Sequence, residues 1–244
     1  MKNVLITGGS RGIGYAICRK LSQNKDYRIF INYNHSEKKA LDLQDEINSS
    51  GGFGLAVKAD VSKSSEVNNM FNEIVKIYGG IDILINNAGI SKVGLFQDMS
   101  SEEWQEIFNV NLNGTFNTIK AALPYMLSKH SGRILNFSSV WGQNAASCEV
   151  AYAATKGAIE SMTRSLAAEL APSGILINAI APGAIKTSMM EGFSDEDIKL
   201  VEEDIPMCRI GNPEEVAEVV DFIVSEKNTY MTGQIIGVNG GFCI

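Results

Sequence analysis

Asn3-Val-Leu-Ile-Thr-Gly-Gly-Ser-Arg-Gly-Ile-Gly14 decides the fold: an apolar run, a glycine-rich turn, then the opening of an amphipathic helix. Glycines at 8, 12 and 14 permit a tight turn and close backbone approach, so the N–H groups that begin the helix can seat a pyrophosphate. Ser10, Arg11 and Ile13 fill the loop between them. Such loops also arise for steric reasons alone, and the spacing is not G-x-G-x-x-G. Its place at the first strand-to-helix turn favours the dinucleotide reading.

Outward from this turn, short β-branched runs alternate with amphipathic segments. The runs predict strands at 3–7, 28–32, 54–59, 81–86, 133–138, 175–180 and 234–238. Helices are expected at 13–24, 37–49, 65–78, 101–127, 151–171 and 213–225. Each parallel connection needs a crossover, so this alternation predicts an α/β fold: one Rossmann-type, doubly wound domain over residues 1–244, with helices on both faces of a parallel sheet. The stretch 184–211 lacks a strand signal; it is either a flap over the site or a surface helical excursion.

Composition narrows the function classes. With 45% hydrophobic and 20% charged residues, the chain reads as globular. A net charge of -7, with no Lys/Arg cluster, argues against nucleic acid. The absence of a basic leader or a long apolar stretch predicts a cytoplasmic protein without a membrane span. Cys18, Cys148, Cys208 and Cys243 are far apart and show no metal spacing, so no metal is expected and all four read as free thiols.

Two further segments bear on chemistry. The second strand ends at Asn32-Tyr33, with no carboxylate to hold a ribose 2′-hydroxyl, while Arg11 is placed to meet a 2′-phosphate; NADPH is therefore expected over NADH. Asn86-Asn87-Ala88-Gly89 ends the fourth strand, where a crevice would open. Ser139, Tyr152 and Lys156 then supply a hydroxyl, a phenol and an ammonium. A phenol is a weak base at neutrality unless a cation favours its ionised form, and Lys156 lies four residues on, along the same helix face.

In this order the motifs resemble the short-chain dehydrogenase/reductase family over essentially the whole chain. Thr7, Gly8, Gly12 and Gly14 match T-G-x-x-x-G-x-G, residues 86–89 match N-N-A-G, and Pro182-Gly183 matches the P-G turn. The resemblance implies a seven-stranded parallel sheet, a nicotinamide cofactor, and a homotetramer or homodimer. It assigns proton donation to Tyr152, cofactor ribose binding and pKa lowering to Lys156, and carbonyl polarisation to Ser139. Asn111, chosen over its neighbours Asn109 and Asn113, would hold a water that resupplies protons through Lys156. Thr187, with Ile185 before it, is placed like the nicotinamide carboxamide ligand, and Asp60-Val61 like the adenine contact.

Among subfamilies the chain resembles the 3-oxoacyl-acyl-carrier-protein reductases most, implying a ketone tethered to a carrier protein. His130 and Ser173 stand where that group commonly has arginines for its acidic carrier. The loop from Ser139 to Tyr152, with Trp141, Cys148 and Glu149, looks instead like that of a reductase acting on the 5-aminopentanone of elongation factor P. Trp141 and Cys148 would shape the substrate wall; Glu149 either pairs with a substrate ammonium or is a solvated loop acid. A third reading is a non-enzymatic NADPH sensor, which the presence of Tyr152 and Lys156 disfavours.

Overall fold

The computed structural model describes residues 1–190 and 192–242, apart from the side chain of Met189. The strands are β1 (Lys2–Ile6), β2 (Tyr27–Tyr33), β3 (Gly54–Lys58), β4 (Ile83–Asn86), β5 (Gly132–Phe137), β6 (Ile175–Pro182) and β7 (Ile235–Val238). The helices are α1 (Gly12–Ser22), α2 (Glu37–Ser49), α3 (Ser64–Tyr78), α4 (Ser101–Phe108), α5 (Gly114–Lys129), α6 (Val150–Leu170), α7 (Asp195–Asp204) and α8 (Pro213–Val224). All seven strands pair in parallel, in the order β3-β2-β1-β4-β5-β6-β7.

Strand alternation explains why both faces are covered. In β1, Val4 and Ile6 join Ile29 and Ile31 of β2 in a core beneath α1, α2 and α8, while Leu5 and Phe30 face the core built with α3, α5 and α6. The chain lays β2 and β3 to one side of β1 and then returns to place β4 on the other. The direction of winding thus reverses between β1 and β4, and a crevice opens at the carboxyl ends of those strands.

One expectation needs correction. The single helix expected over 101–127 is divided into α4 and α5 by a π turn at Asn109–Asn113. The wider turn accompanies an inward-facing Asn111, whose amide donates to Ile90 O at 2.9 Å and to Thr155 Oγ1 at 3.1 Å. The stretch 184–211 holds a 3₁₀ turn at Ser188–Met190 and α7, in line with the helical excursion that was one of its two readings. Helix α7 buries none of its residues, so no apolar stripe marks it; Ser194 and Asp197 fix its start with a reciprocal capping box. A parallel bridge between Ile185 and Gly211 closes the base of this excursion. Cys18, Cys148 and Cys208 are free thiols; Cys243 lies outside the described residues, as does the end of the 240–244 tail expected to associate.

Candidate active site

A cleft of about 1590 Å³ runs along the carboxyl edge of the sheet. Of the residues given a catalytic, cofactor or substrate role in the sequence, all line it except Gly14, Asn111 and Cys148.

The dinucleotide end follows from steric necessity. Gly8 and Gly12 have φ of +62° and +54°, the left-handed region, and a Cβ on Gly14 would sit 2.3 Å from Gly8 O. Thr7 Oγ1 accepts the N–H groups of Asn87 and Ala88, each at 3.0 Å, and Asn87 Nδ2 donates to Thr7 O and Gly8 O. These bonds stitch the loop after β1 to the end of β4. Thr7 is thus a structural key that the glycine pattern alone does not advertise. The first turn of α1 has no acidic residue, and its N-cap, Arg11, makes no side-chain cap. Its N–H groups accordingly remain available to an anion, and the cradle fits a pyrophosphate.

The ribose end is more closed than the sequence implied. Asn32 is buried; its Nδ2 donates to Ala59 O at 3.0 Å and its Oδ1 receives Gly8 N–H at 3.4 Å, so the side chain braces the floor. Tyr33 donates its hydroxyl to Glu37 at 3.2 Å, and that bond, after burial, raises the phenol's pKa. Asp60 receives the N–H and hydroxyl of Ser62 at 3.0 and 2.7 Å. Burial alone would raise its carboxyl, but those bonds and Lys63 hold it below its usual value. Opposite, β6 delivers Pro182-Gly183, and Gly183 N–H binds Val238 O at 3.0 Å. The methyl of Thr187 would lie 3.3 Å from a Cβ on Gly12, so the excursion touches the glycine loop.

The reacting end gathers Ser139 from the tip of β5 and Tyr152 and Lys156 from α6. Ser139 Oγ accepts Trp141 N–H at 3.2 Å. Lys156 Nζ is buried, donates to Phe137 O at 2.8 Å, and lies 5.3 Å from the centre of the Tyr152 ring. Burial pushes Lys156 down to about 8. Burial also pushes Tyr152 up to about 12, opposed by the neighbouring Ser139 hydroxyl and aided by the charge of Glu149. The expected lowering of Tyr152 by Lys156 is therefore not what the chain alone shows: the ammonium sits over the ring face and on a carbonyl, while Glu149 acts in the other direction. A neutral phenol is nevertheless the form that can donate a proton.

Glu149 accepts a hydrogen bond from Ser91, and Trp141 packs edge-on against Phe242 at 5.5 Å. Cys148 adopts φ 63° and gives its carbonyl to Gly94 N–H, so it shapes the loop and does not face the cleft. Glu102, Glu106 and Asp204 also reach the lining; exposed helix acids such as these carry no sequence signal of a site. No candidate metal cluster occurs among the described residues.

The family model described as enoyl-(acyl carrier protein) reductase matches residues 8–243. The chain belongs to the short-chain dehydrogenase/reductase family. Among other members, it is 41% identical over 240 residues to the 3-oxoacyl-[acyl-carrier-protein] reductase FabG of Staphylococcus aureus, covering 98% of this chain and 97% of that one. It is 42% identical over 237 residues to FabG of Aquifex aeolicus, covering 97% and 95%. The crystal structure of a 3-oxoacyl-[acyl-carrier protein] reductase from Brucella melitensis superimposes with a TM-score of 0.93 at 36% identity, over 100% of this chain and 92% of that one. As a short-chain dehydrogenase/reductase the protein is an oxidoreductase that uses a nicotinamide cofactor.

Proposed function

We propose that the protein is an NADPH-dependent ketone reductase, working as one catalytic unit over residues 1–244 and most like a 3-oxoacyl-acyl-carrier-protein reductase. The observation that carries this reading is one cleft holding both the glycine cradle and the Ser139, Tyr152 and Lys156 set. A bound nicotinamide supplies the hydride that reduces the carbonyl carbon. Gly8, Arg11 and the first turn of α1 would hold the phosphates, with Asn87 to Gly89 as the floor and Pro182 to Thr187 as the opposite wall. Ser139 and Tyr152 bracket the carbonyl oxygen: Ser139 polarises it by hydrogen bonding, and Tyr152 transfers its proton as the negative charge develops. Lys156, fixed by Phe137 O, places an ammonium beside the phenol and would hold the cofactor ribose. Asn111 Oδ1 accepts Ile90 N–H at 2.8 Å and keeps a lone pair for a water that resupplies the proton through Lys156.

A second reading, reduction of an amine-bearing ketone such as the 5-aminopentanone on elongation factor P, is favoured by charge. Glu102, Glu106, Glu149 and Asp204 line the substrate side, whereas among the described residues the lining holds no Lys or Arg besides Arg11 and Lys156. In the assay that separates the readings, the protein and NADPH are given an acetoacetyl carrier protein, ketone-modified elongation factor P and a small activated ketone in parallel. Reduction of the carrier substrate with the highest kcat/KM supports the first reading, and preference for the modified factor the second. NADPH binding without any turnover would leave a sensor. Tyr152→Phe should abolish turnover while keeping NADPH affinity. We expect a cytoplasmic homotetramer or homodimer, whose subunits light scattering would count; the described helices include none long and apolar enough to cross a membrane.

A further inference from the structure

Helix α6 presents Tyr152, Lys156, Glu160 and Arg164 at four-residue intervals, and therefore on one face. Glu160 is only 3% exposed, a depth at which an acid must be paired. Its Oε2 accepts from Arg164 Nη2 at 3.1 Å, and its Oε1 accepts from Ser138 Oγ at 2.9 Å. A Cβ built on Gly142 would stand 2.5 Å from Ser138 Oγ and 3.1 Å from Glu160 Oε1, so the short turn after Ser139 rests on this carboxylate. Glu160 thus grips the residue before Ser139 and supports the turn after it, from the same helix that carries Tyr152.

We propose that Glu160 is a positioning residue that sets Ser139 against Tyr152. This rests on the reading of Ser139 and Tyr152 as the acid/base pair above. The carboxylate itself never touches the ketone; it fixes the strand end whose hydroxyl does. Because the glycine cradle lies on other elements and Lys156 keeps its own bond to Phe137 O, loss of the clamp acts on turnover and spares cofactor affinity.

Steady-state reduction of a small activated ketone, with NADPH binding followed by fluorescence, tests the clamp. Glu160→Ala should lower kcat roughly tenfold or more, as misplaced reacting groups do, with NADPH affinity unchanged. Glu160→Gln should restore most of the rate, because its amide oxygen still accepts from Ser138. In a Ser139→Ala background, Glu160→Ala should cost nothing further. An additive loss there, unchanged kcat in the single variant, or an equal fall in NADPH affinity overturns the proposal. Full turnover by Ser139→Ala would overturn the acid/base reading itself, and the clamp with it. If Glu160→Ala does not fold, Ser138→Ala removes the same hydrogen bond and is read in the same way.

Discussion

At the scale of single residues, the i,i+4 relation of Tyr152 and Lys156 was plain in the sequence, but its electrostatic outcome was not. Spacing shows that two side chains share a face; it does not show that Lys156 Nζ is turned to Phe137 O, or that Glu149 works on the phenol. Glu160 was missed altogether, because a helix acid reads as solvated until its burial is seen. The position of Lys156 has a consequence for pH. Burial holds it at about 8, against an ordinary 10.5, so below pH 8 the fold bears the full cost of a buried ammonium. Between pH 8 and 10.5 the folded state gives up its proton first, and the stability of the wild type relative to Lys156→Met should rise. Melting temperatures of the two proteins across that range check this. Ketone reduction should move oppositely, falling above about pH 8 as the ammonium is lost. Arg11 is tested separately: Arg11→Ala should cut the preference for NADPH over NADH by roughly tenfold or more, the scale of a lost charge-assisted bond.

Elements were legible in proportion to their apolar periodicity. The seven strands and the helices on the two faces announce themselves because each must bury a patterned surface, and the observed ends differ from the expected ones by a few residues. The division between α4 and α5 left no apolar trace: Asn109-Val-Asn-Leu-Asn113 contains neither glycine nor proline to mark where the backbone widens. Helix α7 is the converse case, a helix whose polar faces hide it and whose capping box was the available cue. The π turn is held by the Asn111 side chain, which makes bonds to Ile90 and Thr155 in a site with no exposure. Asn111→Leu leaves these partners unsatisfied and should cost about 2–4 kcal/mol, measured by urea unfolding. Turnover should fall more than NADPH affinity.

For the whole molecule, parallel strands deliver every chemical group to one edge of the sheet. The loop after β1, the end of β4, the tip of β5 and the end of β6 meet there although the sequence separates them widely. The class of chemistry was consequently readable from ordered motifs, whereas the shape and charge of the substrate side, assembled from α4, α7 and the 139–152 loop, needed three dimensions. With a net charge of -7, the protein repels an acidic carrier at long range. Added salt should therefore raise kcat/KM for an acyl carrier protein substrate, or leave it level, while a neutral ketone shows no trend. A steep fall with salt would place a local basic patch where none is described.

The bridge between Ile185 and Gly211 brings the two ends of the α7 excursion together on the body of the protein. A segment whose ends already meet can be exchanged for another of different length without disturbing the strands that support it. Evolution can thus retune what this scaffold accepts by replacing the part of the cassette beyond Thr187, leaving the hydride chemistry beneath it untouched.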